Sequence, residues 1–93
     1  MHMTQGYLNS QLNITAAGAV VKATGGKLVT ITVSVAGAAG AVYDNNALGG
    51  TNTAANQIGA IPAVIGVYTF WFPFLTGLVI VPGAAQVCSV SFE

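Results

Sequence analysis

The stretch Gly25-Gly26-Lys27-Leu28-Val29-Thr30-Ile31-Thr32-Val33-Ser34-Val35 predicts a β-strand around which the chain is organised. Four apolar residues share one parity of this strand: Val29, Ile31, Val33 and Val35. Three hydroxyl residues share the other: Thr30, Thr32 and Ser34. Because successive side chains of a strand point to opposite faces, we expect a core face and a wetter face. The two glycines predict a turn, since glycine adopts positive φ without a Cβ clash.

Short apolar runs separated by turn residues continue on both sides of this strand. Residues 13–24 predict a first strand that forms a hairpin with the strand 27–35 through the glycine turn. Further strands are predicted at 41–43, 57–61, 65–72, 78–81 and 85–92. About seven short strands without a helical period predict an all-β fold, a single small β-sandwich or jelly-roll-like barrel over residues 13–93. Residues 1–12 are polar and aperiodic, and we expect an extended N-terminal arm ordered mainly by another subunit.

The predicted strand 65–72 differs from the others because both of its faces are apolar. Tyr68, Phe70 and Phe72 share one parity, and Ile65, Val67 and Trp71 share the other. Only one face can pack in a sandwich, so the second face predicts a contact between subunits. The candidate interface residues are Tyr7, Leu8, Tyr68, Phe70, Trp71 and Phe72.

Charge is nearly absent from this chain. Among 93 residues there are two lysines and two acidic residues, which amounts to 4%, whereas soluble domains average about 25%. The four are Lys22, Lys27, Asp44 and Glu93. A monomer with so little charge tends to associate, so the composition favours a protein that works inside an assembly.

The small number of basic, histidine and cysteine residues disfavours several functional classes. Nucleic-acid binding needs a basic surface, and no basic run is present. A nucleophilic site needs a histidine or a second base, and His2 is the only histidine. Cys88 is the single cysteine and is predicted to be a small core residue. We therefore expect no enzyme activity, no metal site and no cofactor, with Asp44 acting as a turn residue.

Two alternatives remain for the aromatic and apolar segments. The rings of Tyr68, Phe70, Trp71, Phe72 and Phe74 could line a sugar-binding platform, although core and subunit interface is the favoured interpretation. Residues 60–81 carry no charge over 22 positions, which meets the length of a membrane-spanning helix. The prolines and glycines within that segment, and the period-two strands around it, favour the β interpretation without a membrane partner.

Four segments carry a resemblance to a known group of proteins. They are Val21–Val33, Val42–Asn45, Gln57–Pro62 and Phe72–Val81, followed by a final strand that ends in Ser89-Val90-Ser91-Phe92. In spacing and residue type this pattern resembles small β-rich virion proteins of tailed bacteriophages. The resemblance covers about residues 14–92, and this chain departs from the group in being exceptionally poor in charge.

The resemblance implies a non-enzymatic capsid decoration, or cement, protein on the virion surface. It implies the major capsid protein as the partner, and a homotrimer as the assembly. The alternative within the same setting is a head-fibre or tail-tip module that binds a carbohydrate or receptor. A small membrane protein, such as a lysis factor, is the third hypothesis, and a soluble β protein would eliminate it.

Overall fold

The computed structural model describes residues 8–93, so Tyr7 and the first part of the predicted arm lie outside the described residues. Eight strands make up the described chain, one more than the sequence predicted: β1 (Asn9–Ile14), β2 (Ala19–Lys22), β3 (Gly26–Val35), β4 (Gly40–Tyr43), β5 (Gln57–Ile61), β6 (Gly66–Phe74), β7 (Leu78–Val81) and β8 (Val87–Phe92). Ala54–Asn56 forms a single 3₁₀ turn. The predicted all-β class is confirmed.

The strands form two antiparallel four-stranded sheets. The first sheet has the order β1-β8-β3-β6 and the second sheet the order β2-β7-β4-β5. The first strand pairs with the eighth, the second with the seventh, the third with the sixth and the fourth with the fifth. This is a long hairpin of four strand pairs, rolled so that successive pairs alternate between sheets. It is the jelly-roll arrangement of a β-sandwich.

The predicted hairpin between the strands at 13–24 and 27–35 is wrong. β2 lies in the second sheet and β3 in the first, so residues 23–25 cross between sheets instead of forming a two-strand turn. Neither Gly25 nor Gly26 has positive φ. A Cβ on Gly26 would lie 2.1 Å from the Glu93 carbonyl oxygen, which shows that this glycine is needed for close packing of two chain segments.

A single apolar core lies between the two sheets. The first sheet contributes residues that include Ile31 and Val33 of β3, and the second contributes Val42, Leu78 and Ile80, all fully buried. In β8 the residues Cys88, Val90 and Phe92 point inward while Ser89 and Ser91 are less buried, as the alternation predicted. Cys88 is a core residue, and burial raises the pKa of its thiol.

The parity predicted for β3 holds for only part of the strand. Ile31 and Val33 point inward, but Leu28 joins them on that side and Val35 is exposed. The side of Leu28 is explained by a bulge: Leu28 and Thr30 pair with the adjacent residues Phe92 and Ser91 of β8, so β3 carries one extra residue there. A second register shift lies between Val33 and Val35. A bulge resets the alternation of side chains beyond it.

A second bulge lies beside the first, between β3 and the edge strand β6. Opposite Leu28 and Thr30 of β3, the edge strand β6 presents Phe72 and Thr69, with two residues between them. In this region β3 therefore carries one residue more than β8, and β6 carries one residue more than β3. Bulges increase the local twist and are common beside binding sites.

All four charged side chains lie near one end of the sandwich, which we call the charged end. Lys22 Nζ donates to the Glu93 carbonyl oxygen at 3.0 Å, and Lys27 and Glu93 exchange two backbone hydrogen bonds. The carboxylate of Asp44 accepts from the turn 75–77, which joins β6 to β7 at the same end. Charge is thus segregated along the strand direction.

The opposite end contains no charged side chain among residues 8–93, and we call it the uncharged end. Its turns are 15–18, 36–39, 62–65 and 82–86. Gln86 is the one buried polar residue noted in the described core, and it joins two of these turns. Its Nε2 donates to the Pro62 carbonyl oxygen at 2.7 Å, and its Oε1 accepts from the Gly83 N–H at 3.1 Å.

The boundary between arm and domain lies earlier than predicted. Residues 9–12 were assigned to the arm, but they belong to β1, and Asn9, Ser10 and Gln11 pair with β8 of their own chain. The sequence pattern does not predict this strand because most of its side chains are polar. An edge strand such as β1 can be polar, since its pairing uses backbone hydrogen bonds. Only Ile14 of β1 is fully buried, and it anchors the strand in the core.

Replacing Ile31 by alanine tests the assignment of the core face of β3. Ile31 is fully buried between the sheets, so Ile31→Ala is expected to lower the free energy of unfolding by about 2 to 4 kcal/mol, measured by urea denaturation. The matched control is Thr32→Ala on the outer face, for which we expect a loss of about 1 kcal/mol or less. Equal losses in both variants would contradict the assigned faces.

Candidate functional site

The outer face of the first sheet is lined by hydroxyl groups. The register places Ser10, Ser91, Thr30 and Thr69 side by side across the four strands. The Thr30 Oγ1 and the Ser91 Oγ lie 2.6 Å apart, in hydrogen-bond contact. The hydroxyl face predicted for the strand 27–35 therefore continues into both neighbouring strands.

Apolar side chains border this hydroxyl face along β6. We call Ile65, Val67 and Trp71 the β6 stripe. Val67 and Trp71 share the outward parity of the strand and are 68% and 57% exposed, and Ile65, in the turn just before β6, is 61% exposed. The outward Thr69 lies between Val67 and Trp71, so the exposed apolar surface is interrupted by one hydroxyl group. Large exposed apolar residues grouped in this way mark a contact site in a soluble protein.

The outer face of the second sheet is covered by other parts of the chain, whereas the outer face of the first sheet is exposed. Val79 alternates with the core residues Leu78 and Ile80 and so points away from the core, yet it is fully buried. Leu48, from the long loop between β4 and β5, comes within 3.2 Å of the position that a Cβ on Gly18 would take. The chain thus brings a loop against the second sheet and leaves the outer face of the first sheet open.

Trp71 is held in an unusual backbone conformation. Its φ is +50°, a left-handed value that costs a bulky residue about 1 to 3 kcal/mol. The Lys27 Nζ lies 5.3 Å from the centroid of the Trp71 ring, and such an exposed cation–π contact contributes about 0.5 to 1 kcal/mol. The contact offsets only part of the strain, so the exposed ring is maintained by the strand pairing on either side of it.

The structure separates the residues that the sequence proposed for an interface. Leu8 and Trp71 are exposed, at opposite edges of the first sheet. Tyr68 and Phe70 point inward and pack against the core, and a Cβ on Gly59 of the second sheet would lie 3.3 Å from the Phe70 ring. Phe72 is 46% exposed. Phe74 is buried, so the five aromatic rings do not form one sugar-binding platform.

Phe72 instead faces a cleft at the charged end. The cleft has a volume of about 370 Å³ and lies where β6 and the turn after it meet the start of β5. Its lining consists of Asp44, Ala55, Asn56, Gln57, Ile58, Phe72 and Thr76. One aromatic ring is therefore surrounded by a carboxylate, two amides and a hydroxyl.

Asp44 orders the wall of this cleft. Its carboxylate accepts hydrogen bonds from the backbone N–H groups of Leu75, Thr76 and Gly77, at 2.9, 2.8 and 3.3 Å. Partial burial acts to raise the pKa of Asp44, but the three N–H donors outweigh it and hold the pKa below its ordinary value. The sequence predicted a turn residue here, but Asp44 acts mainly on a different turn, 31 to 33 positions further along the chain.

The loop that carries the other cleft residues is braced by its own amides. The Asn45 side chain donates to Thr51 and Asn52, and the Asn56 side chain donates to the Thr51 carbonyl. Thr53 and Asn56 form a reciprocal capping box at the 3₁₀ turn. The Asp44 N–H donates to the Asn56 carbonyl oxygen at 2.8 Å and closes the loop at its base. The cleft is thus formed before any ligand arrives.

Sequence analysis did not find this cleft. The one usable signal was the density of Asn and Thr between positions 45 and 56, because such side chains bond to nearby backbone and fix a loop. Across the described range 8–93, no three His, Cys, Asp or Glu side chains come together as a metal site would require.

The fold and its surfaces define a small jelly-roll domain with one open sheet face and one polar cleft. A comparison with protein-family models, curated proteins and solved structures found no match for the chain. Within residues 8–93 there is no helix long and apolar enough to cross a membrane, and the segment 60–81 consists of strands and turns.

The Asp44 contacts predict a pH-dependent stability. A carboxyl whose pKa is lower in the folded state stabilises the protein above its ordinary pKa, which is 3.8 here, and this contribution is lost as the pH falls through the folded value. Asp44→Asn is expected to lower the free energy of unfolding at neutral pH by about 1 kcal/mol or less, because solvent screens this partly exposed carboxylate. In urea denaturation below pH 4, the difference between the variant and the natural protein should shrink. A difference that stays constant with pH would contradict the role of the ionised carboxylate.

Proposed function

We propose that the protein is a non-enzymatic structural subunit of a tailed-phage particle, a capsid decoration protein that cements neighbouring major-capsid subunits. The phage setting rests on the sequence resemblance of residues 14–92. The structural support is the open outer face of the first sheet, which presents the β6 stripe and a hydroxyl row with no acidic side chain of its own.

The contrast between the two sheets carries the proposal. The outward Val79 of the second sheet is fully buried within the chain, whereas Val67 and Trp71 of β6 are more than half exposed. Charge repulsion between molecules is weak for a chain with four charged side chains, so such an apolar surface tends to associate. Burial of the stripe against another subunit removes this apolar area from water.

The hydrogen-bonding edge of β6 is poorly suited to a contact between subunits, so we expect the contact to use the outer face of this strand. β6 is an edge strand, and its hydrogen-bonding edge is interrupted by the bulge at Trp71 and by Pro73, which has no N–H. Side-chain packing over Val67 and Trp71 remains available. We propose a homotrimer in which the β6 stripe lies at the subunit contact, since closed symmetry buries the surface without growth of filaments.

Replacing Trp71 by asparagine tests this contact without harming the fold. Asparagine adopts the left-handed conformation more readily than tryptophan, so Trp71→Asn is expected to leave the monomer folded. Loss of the buried ring removes about 2 to 3 kcal/mol per subunit, and light scattering should show dissociation at micromolar concentration. The matched control is Leu75→Asn, which lies at the charged end and is 86% exposed; it should assemble normally. A natural protein that is monomeric in the same measurement would contradict the proposal.

The location in the particle is tested by counting copies. Quantitative mass spectrometry of purified phage particles is expected to find the protein in numbers comparable to the capsid lattice positions. A handful of copies per particle would instead favour a head fibre or tail tip. Absence from the particle would rule out a structural role in it.

A further inference from the structure

The cleft beside Phe72 is independent of the β6 stripe. It lies at the charged end, between β6 and β5, whereas the stripe lies on the outer face of the first sheet. A volume of about 370 Å³ is within the range of small-ligand sites. The side chains of its walls determine which ligand chemistry fits.

The cleft combines one apolar surface with several hydrogen-bond acceptors. The Phe72 ring is half exposed, and Ile58 and Ala55 extend the apolar part. Three backbone N–H groups already donate to the Asp44 carboxylate, two to Oδ1 and one to Oδ2, and of its roughly four lone-pair positions about one remains for a ligand, on Oδ2. The Gln57 Nε2 donates to the Gly59 carbonyl oxygen at 3.1 Å, which leaves the Gln57 Oε1 as an acceptor. A matching ligand needs an apolar face and several O–H or N–H donors.

A cationic ligand fits this arrangement less well than a neutral one. Recognition of an ammonium group by aromatic rings uses a cage of several rings, and Phe72 is the one ring in the cleft lining. Lys22 and Lys27 lie at the same end as Asp44 and Glu93, so the four side chains sum to no net charge there. Long-range attraction of a cation to this end is therefore weak, and the local attraction comes from the Asp44 carboxylate alone, without a cage of rings around it.

We propose that the cleft binds a neutral saccharide, whose apolar ring face stacks on Phe72 and whose hydroxyl groups donate hydrogen bonds to Asp44 and Gln57. The Thr76 hydroxyl, which both donates and accepts, completes the polar rim. The loop 44–56 is braced by its own hydrogen bonds, so binding costs little ordering of the protein. One ring and three polar groups make this a weak site, with affinity in the millimolar range, which multiple copies in an assembly strengthen.

Nuclear magnetic resonance titration of the isolated protein tests this proposal. The probes are glucose, galactose, mannose and N-acetylglucosamine, with tetramethylammonium chloride as the cationic probe. At least one sugar is expected to give saturable shifts of the backbone N–H signals of Thr76 and Gly77, which bond to the Asp44 carboxylate. Phe72→Ala should weaken binding about tenfold, equivalent to about 1.4 kcal/mol.

Controls separate this site from the assembly surface. Val67→Asn alters the stripe at a position five residues from Phe72, so it should bind the sugar with unchanged affinity even if it fails to assemble. Gln57→Ala lies on the surface and is expected to weaken binding about threefold, which keeps the test valid if Phe72→Ala does not fold. Absence of saturable shifts with every sugar would overturn the proposal. Saturation by tetramethylammonium alone would overturn it in favour of a cationic ligand.

Discussion

Burial of the inward face of β3 against the second sheet is the interaction on which the rest of the structure depends. β3 is a central strand that pairs with β8 on one side and β6 on the other, and its residues Leu28, Ile31 and Val33 are fully buried. Because β3 fixes β6 and β8 in register, it also fixes which of their side chains face solvent. The outward position of Val67 and Trp71 follows from this burial.

Charged, polar and apolar side chains occupy different regions of the molecular surface. The charged residues and the polar cleft share one end, the opposite end is uncharged, and one outer sheet face carries hydroxyl and apolar groups. Such a surface has few long-range electrostatic interactions, so its contacts depend on shape and on apolar area. In the proposed assembly, like charges would not oppose close packing of identical neighbours.

The sequence predicted the fold class and most strands because period-two alternation is strong in β3 and β8. It missed β1, where polar residues occupy an edge strand, and it placed β2 and β3 in a hairpin because glycine pairs are typical of tight turns. The actual reason for Gly26 is contact with Glu93, a residue 67 positions away, which local patterns do not reveal. The cleft was missed for the same reason: Asp44 and Phe72 come together only through the rolled topology.

Footprinting tests most directly whether the β6 stripe is the covered face in the proposed assembly. Hydroxyl-radical footprinting with mass spectrometry compares the oxidation of Trp71, Leu12 and Leu75 in the dilute, isolated protein and in the assembled or particle-bound protein. All three side chains are exposed in the single chain. The account predicts strong protection of Trp71 on assembly, while Leu75 at the charged end stays reactive. Equal reactivity of Trp71 in both states, or protection confined to Leu75, would contradict it.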